Sequence, residues 1–236
     1  MVRTHWQGEA ADYDAVMASD PTMARLHSAI LARVPEQTRT VLDLGCGTGT
    51  LLEALQSRLP SARLLGIDPA SDMIEVARQR LQGPLVQLQE GSAHDLSFES
   101  ESLDLVVSNF ALHHLSHDDK RACAREIARV LCPGGRFVFG DQYVRRMGGP
   151  DDPDWLRDIL SIFTDKAKYY LDAASPERML LQVKLLPRFL TMDGELPVTV
   201  DFWLDALTTA GLSAERVVEI PPAHLMNRVI VADKPA

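Results

Sequence analysis

A short apolar strand that runs straight into a glycine-rich turn and then a helix restricts this chain more than any other feature. It is Thr40-Val41-Leu42-Asp43-Leu44-Gly45-Cys46-Gly47-Thr48-Gly49, continued by the helical run from Leu51 to Leu59. Val41, Leu42 and Leu44 suit a parallel strand buried on both faces. Gly45, Gly47 and Gly49 remove side chains where a ligand and the following helix come close. Nineteen positions past Gly49, the second apolar run Leu64-Leu65-Gly66-Ile67 ends on Asp68. A carboxylate at that strand end is placed to accept hydrogen bonds from both hydroxyls of a ribose, so a nucleotide-like ligand is expected.

Spacing separates two kinds of nucleotide-like ligand. A dinucleotide site needs a sixth-position glycine that packs the helix beside a pyrophosphate, and counting from Gly45 that position is Thr50. The pattern therefore favours a ligand without a pyrophosphate over a nicotinamide dinucleotide. Strands and helices alternate from Leu42 to about Asp141, as a doubly wound α/β sheet requires. Helices are expected over Met73 to Leu81 and from a cap at His117-Asp118-Asp119 to Leu131. Strands are expected over Leu85 to Gln89, Leu103 to Asn109 and Arg136 to Gly140, the last after the turn Pro133-Gly134-Gly135. Val200 to Ala210 reads as a helix closed by Gly211, with two strands following near Arg216 to Ile220 and Arg228 to Ala232.

Composition narrows the function classes. With 236 residues, 46% of them hydrophobic, the chain suits one α/β domain with a sizeable core. Twenty-four Lys and Arg against 33 Asp and Glu give a net charge of −9, which opposes a polyanionic backbone and argues against nucleic acid. Arg121, Arg125, Arg129 and Arg136 read as a solvated face. No apolar run approaches the roughly 18 residues of a membrane span, and the start at Met1 lacks an export-type segment, so a cytoplasmic location and no membrane partner are expected. Cys46, Cys123 and Cys132 form no CxxC pair, and neither a metal centre nor a disulfide is expected.

Val41 to Gly49 resembles the first motif of the class I S-adenosylmethionine-dependent methyltransferases. Leu103 to Leu115, with Asn109, Phe110, His113 and His114, is similar to that family's fourth strand and the loop beyond it. Leu131-Cys132-Pro133-Gly134-Gly135-Arg136-Phe137 is similar to its turn before strand five, and Glu90 to Leu96 to its adenine loop, with Ser92 where many members have an acid. The resemblance is close over residues 38–141 and looser from 199 onward. It implies a seven-stranded, mostly parallel sheet with an antiparallel last strand, helices on both faces and a helical insertion after strand five. It also implies S-adenosylmethionine as cofactor and a small-molecule acceptor.

The cofactor contacts expected on that basis are Asp43, Gly45, Cys46, Gly47, Asp68, Pro69, Met73, Ser92, Ala93, His94, Asn109 and Phe110. Tyr13, in a leader of residues 1–37 that also holds Trp6 and Asp14, is expected to close over the cofactor. His114 is the candidate general base, since imidazole titrates near neutral pH. Asp141, Gln142 and Tyr143 leave the fifth strand where open α/β sheets place ligands, and Asp141 and Tyr143 are candidate substrate contacts.

Val144 to Pro197 lies outside the alternating pattern. Its expected amphipathic helices carry Trp155, Leu156, Ile159, Ile162 and Phe163, then Met179, Leu180, Val183, Leu186 and Phe189, on their apolar faces. An insertion of this size at the ligand edge reads as a lid over residues 142–198, with Trp155 on the pocket wall; a dimer contact would show the same pattern. Residues 199–236 then complete one domain. Two other functions fit the residues: a protein that binds the cofactor without transferring methyl, as a cyclase or regulator does, and, against Thr50, a nicotinamide-dependent oxidoreductase.

Overall fold

The computed structural model describes Met17 and residues 20–236, so the expectations on Trp6, Tyr13 and Asp14 lie outside the described residues. Seven strands form one sheet in the order β3-β2-β1-β4-β5-β7-β6. They are β1 (Thr40–Leu44), β2 (Arg63–Asp68), β3 (Val86–Glu90), β4 (Leu103–Asn109), β5 (Leu131–Gln142), β6 (Ser213–Glu219) and β7 (Asn227–Asp233). β1 pairs in parallel with β2 (Val41↔Leu64) and β4 (Val41↔Leu105), whereas β7 runs antiparallel to both β5 and β6. The expected α/β sheet with an antiparallel last strand is therefore present. β1 and β4 meet where the strand order reverses, which places a crevice at their carboxyl ends.

The period of two along each strand divides the core. Val41, Leu64, Leu105 and Val138 pack beneath Leu26 and Ile30 of α1 (Pro21–Leu31) and Leu52 and Leu55 of α2 (Thr50–Arg58), with Ile74 of α3 (Ser71–Arg80). Leu42, Leu65, Val106 and Phe137 face the other way. They meet Ile127 and Val130 of α4 (His117–Val130) and Trp203 and Leu207 of α7 (Val200–Thr209). Burying each of these aliphatic side chains contributes about 1.5–3 kcal/mol.

Two details differ from the sequence reading. Ser116, rather than the acidic run after it, caps α4: its hydroxyl accepts from the Asp119 N–H at 3.1 Å, while Asp118 and Asp119 complement the helix dipole from the first turn. Pro133-Gly134-Gly135 lies inside β5 as an irregularity, the register shifting between Leu103↔Leu131 and Leu105↔Arg136. Arg136, a strand residue as expected, pairs with Asp233 at 2.6 Å.

The insertion leaves the sheet after Tyr143 and returns at Val198, whose carbonyl accepts from the Val144 N–H at 3.2 Å. It carries α5 (Pro153–Asp172) and α6 (Pro176–Thr191). Asp152 caps α5 through the Asp154 and Trp155 amides, and Trp155, Ile159, Ile162 and Phe163 pack with Phe189 of α6. The apolar face expected on α6 is split: Phe189 and Leu186 pack inward, but Leu180 and Val183 are 61% and 57% exposed, while Arg178 and Gln182 are buried. The split follows from a buried ion pair, Arg178 Nη2 to Asp20 Oδ2 at 2.6 Å, that ties α6 to the start of α1.

Candidate active site

A cleft of about 990 Å³ opens at the carboxyl ends of β1, β2 and β4, with Asp43, the glycine turn, Asp68, Met73, Ser92 and Phe110 on its walls. Gly45 and Gly47 both take left-handed backbone, with φ of +68° and +51°. A Cβ on Gly45 would stand 2.3 Å from Ala111 Cβ, so glycine is what lets the loop after β4 close on the turn. A Cβ on Gly47 would meet nothing within 4 Å, which leaves the backbone there bare for a ligand to approach.

Asp68 Oδ2 accepts from the Gly47 N–H and Oδ1 from the Ala70 N–H, both at 2.9 Å. Burial, opposed by these two amides, holds its carboxyl above the ordinary aspartate range. Asp43, buried beside it, is pushed up by burial and then by the Asp68 charge. Two carboxylates sharing one cleft wall favour a ligand that brings hydroxyl and cationic donors.

On the far wall, Pro69, Ala70 and Met73 face Gly91, Ser92 and Ala93. His94 does not reach the cleft. Its Nδ1 lies 2.7 Å from Ser92 Oγ and its Nε2 3.9 Å from Asp119, so it orients the serine instead of lining the site. Asn109 and Phe110 close the near wall, and Phe110 holds φ of +50°, an unusual conformation for a bulky residue that its N–H bond to the Gly140 carbonyl (2.9 Å) helps to fix.

The two histidine rings beyond β4 lie side by side, their centroids 4.0 Å apart, and both approach Glu195. His114 lines the cleft, with Nδ1 2.8 Å from the Gly194 carbonyl. A carbonyl only accepts, so Nδ1 carries the proton and Nε2 is the basic atom of the neutral ring. His113 is buried, its Nδ1 2.6 Å from Asp141 Oδ1 and its Nε2 3.3 Å from Glu195 Oε2. Burial favours its neutral form, but the Asp141 and Glu195 carboxylates outweigh that and raise it to about 9. Beneath them Lys120, fully buried, donates to the carbonyls of Leu115, Leu196 (2.8 Å) and His113 (3.3 Å), so the loop after β4 and the return of the insertion are held as one piece.

Two expected substrate contacts and one pocket wall are corrected by this geometry. Asp141 is 2% exposed and spent on His113 and on the Gln142 N–H. Tyr143, also 2% exposed, packs in the core beside Phe139, its ring centroid 6.4 Å away. Trp155 lies in the core of the insertion rather than on a cavity. The remaining expected contacts, Asp43, Gly45, Cys46, Gly47, Asp68, Pro69, Met73, Ser92, Ala93, Asn109 and Phe110, all line the cleft.

Sequence reasoning missed the residues brought in by the insertion. Ligand atoms of His113, His114 and Glu195 lie within 4.8 Å of one another, a spacing compatible with a metal, although Nδ1 of each ring is engaged by Asp141 or Gly194. Lys166, Arg178 and Gln182 surround a polar recess next to the cleft. Nothing in sequence spacing joins Glu195 or Lys166 to His113; only the burial of polar residues at i,i+4 on α5 and α6 would have signalled them.

The methyltransferase domain family matches residues 41–135. The uncharacterised methyltransferase YcgJ of Bacillus subtilis (strain 168) is 30% identical over 185 residues, which cover 76% of this chain and 68% of YcgJ. The chain belongs to the methyltransferase family. In fold it is similar to the methyltransferase in complex with the Trm112 methyltransferase activator of Haloferax volcanii (TM-score 0.72, 20% identity, 100% of both chains). It is also similar to the [4+2]-cyclase SpnF (TM-score 0.65, 17% identity, 91% of this chain and 82% of that one). Across the curated relatives compared, the matched segment spans 30% to 68% of the relative's own length. Among the described residues no helix is long and apolar enough to cross a membrane.

Proposed function

We propose that the chain transfers the methyl group of S-adenosylmethionine to a small-molecule acceptor held between the cleft and the insertion. The observation that carries this reading is His114: it lines the cleft, and Gly194 fixes its tautomer so that Nε2 is the ring's proton acceptor.

When bound, S-adenosylmethionine supplies a methyl group activated on a sulfonium. The glycine turn would give bare backbone to its amino-acid end, and Asp43 would hold the ammonium. Each Asp68 oxygen keeps a lone pair for a ribose hydroxyl beyond its amide bond. Ser92, oriented by His94, would accept from the adenine amino group, and Pro69 and Met73 would cover the ring. Asn109 and Phe110 set the edge against which the acceptor lies. His114 Nε2 takes the acceptor's proton where one must leave, and α5 and α6 act as a lid that excludes water and aligns the acceptor.

The test is release of S-adenosylhomocysteine from S-adenosylmethionine in the presence of a small-metabolite fraction, of tRNA and of a protein extract. Release with the metabolite fraction alone supports the reading. Label transferred to tRNA or protein would replace the acceptor class. Cofactor binding with no transfer to any fraction would favour the non-methylating role that the fold likeness to SpnF suggests.

A further inference from the structure

Two i,i+4 pairs on the inner side of the insertion are polar where a lid core is normally apolar: Lys166 and Tyr170 on α5, Arg178 and Gln182 on α6. Their exposures are 3%, 1%, 6% and 5%. With Gln142, His113 and Glu195 they enclose a recess of about 50 Å³. Phe110 and His114 line both this recess and the cleft, so the recess is a side chamber of the site.

Most charges around it are matched. Arg178 Nη2 bonds Asp20 Oδ2 at 2.6 Å and Tyr170 Oη at 3.2 Å. His113 stands between Asp141 and Glu195. Lys166 differs. Its Nζ donates to the neutral Gln142 Oε1 at 2.7 Å and lies 5.9 Å from the Phe163 ring centroid, while the Asp20, Asp141 and Glu195 charges act on it without a direct ion pair among the described residues. A buried ammonium with donors to spare is costly unless something anionic meets it. A liquid water occupies about 30 Å³, so the recess has room for one or two waters or a carboxylate.

We propose that the recess seats an anionic group of the acceptor, of carboxylate size, with Lys166 as its ion-pair partner and the Gln142 and Gln182 amides as further donors. The inference rests on the methyl-transfer reading: an acceptor anchored there presents its other end beside His114 and the cofactor. A divalent cation on His113, His114 and Glu195 is the competing occupant, and the Lys166 charge in the same recess opposes it.

The experiment is calorimetric titration of the whole chain, saturated with S-adenosylhomocysteine, using benzoate, benzamide, benzylamine and Zn²⁺ as probes. Benzoate is expected to bind at least about tenfold more tightly than benzamide. Lys166→Met should abolish that preference while melting no lower than the parent and keeping S-adenosylhomocysteine affinity. Gln182→Leu, a milder change, should weaken benzoate severalfold. Equal binding of benzoate and benzamide, no benzoate binding, preference for benzylamine or Zn²⁺, or a benzoate preference that survives in Lys166→Met would each overturn the proposal. Failure of the parent chain to bind S-adenosylhomocysteine, seen before any probe is added, would instead overturn the cofactor reading and take the proposal with it.

Discussion

Asp68 has two tasks, since its carboxylate both braces the Gly47 and Ala70 amides and faces the cleft. Asp68→Ala should therefore weaken S-adenosylhomocysteine binding by about 1–3 kcal/mol, as expected for a charged acceptor stripped from buried donors. Calorimetry showing unchanged affinity would reduce Asp68 to a structural brace. His114→Gln should leave that affinity within about twofold and lower turnover about 100-fold for an acceptor that must lose a proton. His113 has a different signature. Its folded-state value of about 9 exceeds the ordinary 6.5, so its contribution to stability is complete below about pH 6.5 and is lost as pH rises through about 9. The melting-temperature gap between the parent and His113→Gln should be several degrees at pH 6 and close by about pH 10. A gap that stays constant over that range would show that the imidazolium bridge to Asp141 and Glu195 does not form. His114 was legible from the sequence because strand four points to it; the partners of His113 were not, because Glu195 reaches it from a segment 82 positions away (195 − 113).

At the scale of elements, the helices of the insertion were legible, and so was the orientation of α5, but not that of α6. The apolar positions Trp155, Ile159, Ile162 and Phe163 of α5 do face inward, because three- and four-residue spacing is a sufficient signal where one stripe dominates. On α6 two stripes compete. The Asp20–Arg178 pair and the recess outweigh the burial of Leu180 and Val183, and a long-range ion pair leaves no trace in local periodicity. Trp155→Ala is therefore a test of packing rather than of substrate contact. It should cost about 3–5 kcal/mol and lower the melting temperature by roughly 10 °C, with cofactor affinity nearly intact below the transition. Leu180→Asn and Val183→Asn should leave melting within about a degree, as surface changes do. If they destabilise the chain strongly, that face of α6 is covered in solution.

At the scale of the molecule, the α/β sheet was readable because its central strands carry unmistakable apolar runs, and because the switch between β1 and β4 follows from a glycine turn that only one fold class places at a strand end. The same turn, with Asp68 and without a sixth-position glycine at Thr50, distinguishes a cofactor lacking a pyrophosphate from a dinucleotide. Calorimetric titration of the whole chain with S-adenosylhomocysteine and, separately, with NAD tests that distinction most directly. The geometry predicts one S-adenosylhomocysteine per chain with micromolar affinity, on the order of −8 kcal/mol, and no measurable NAD binding. Tight NAD binding without any heat from S-adenosylhomocysteine would contradict it.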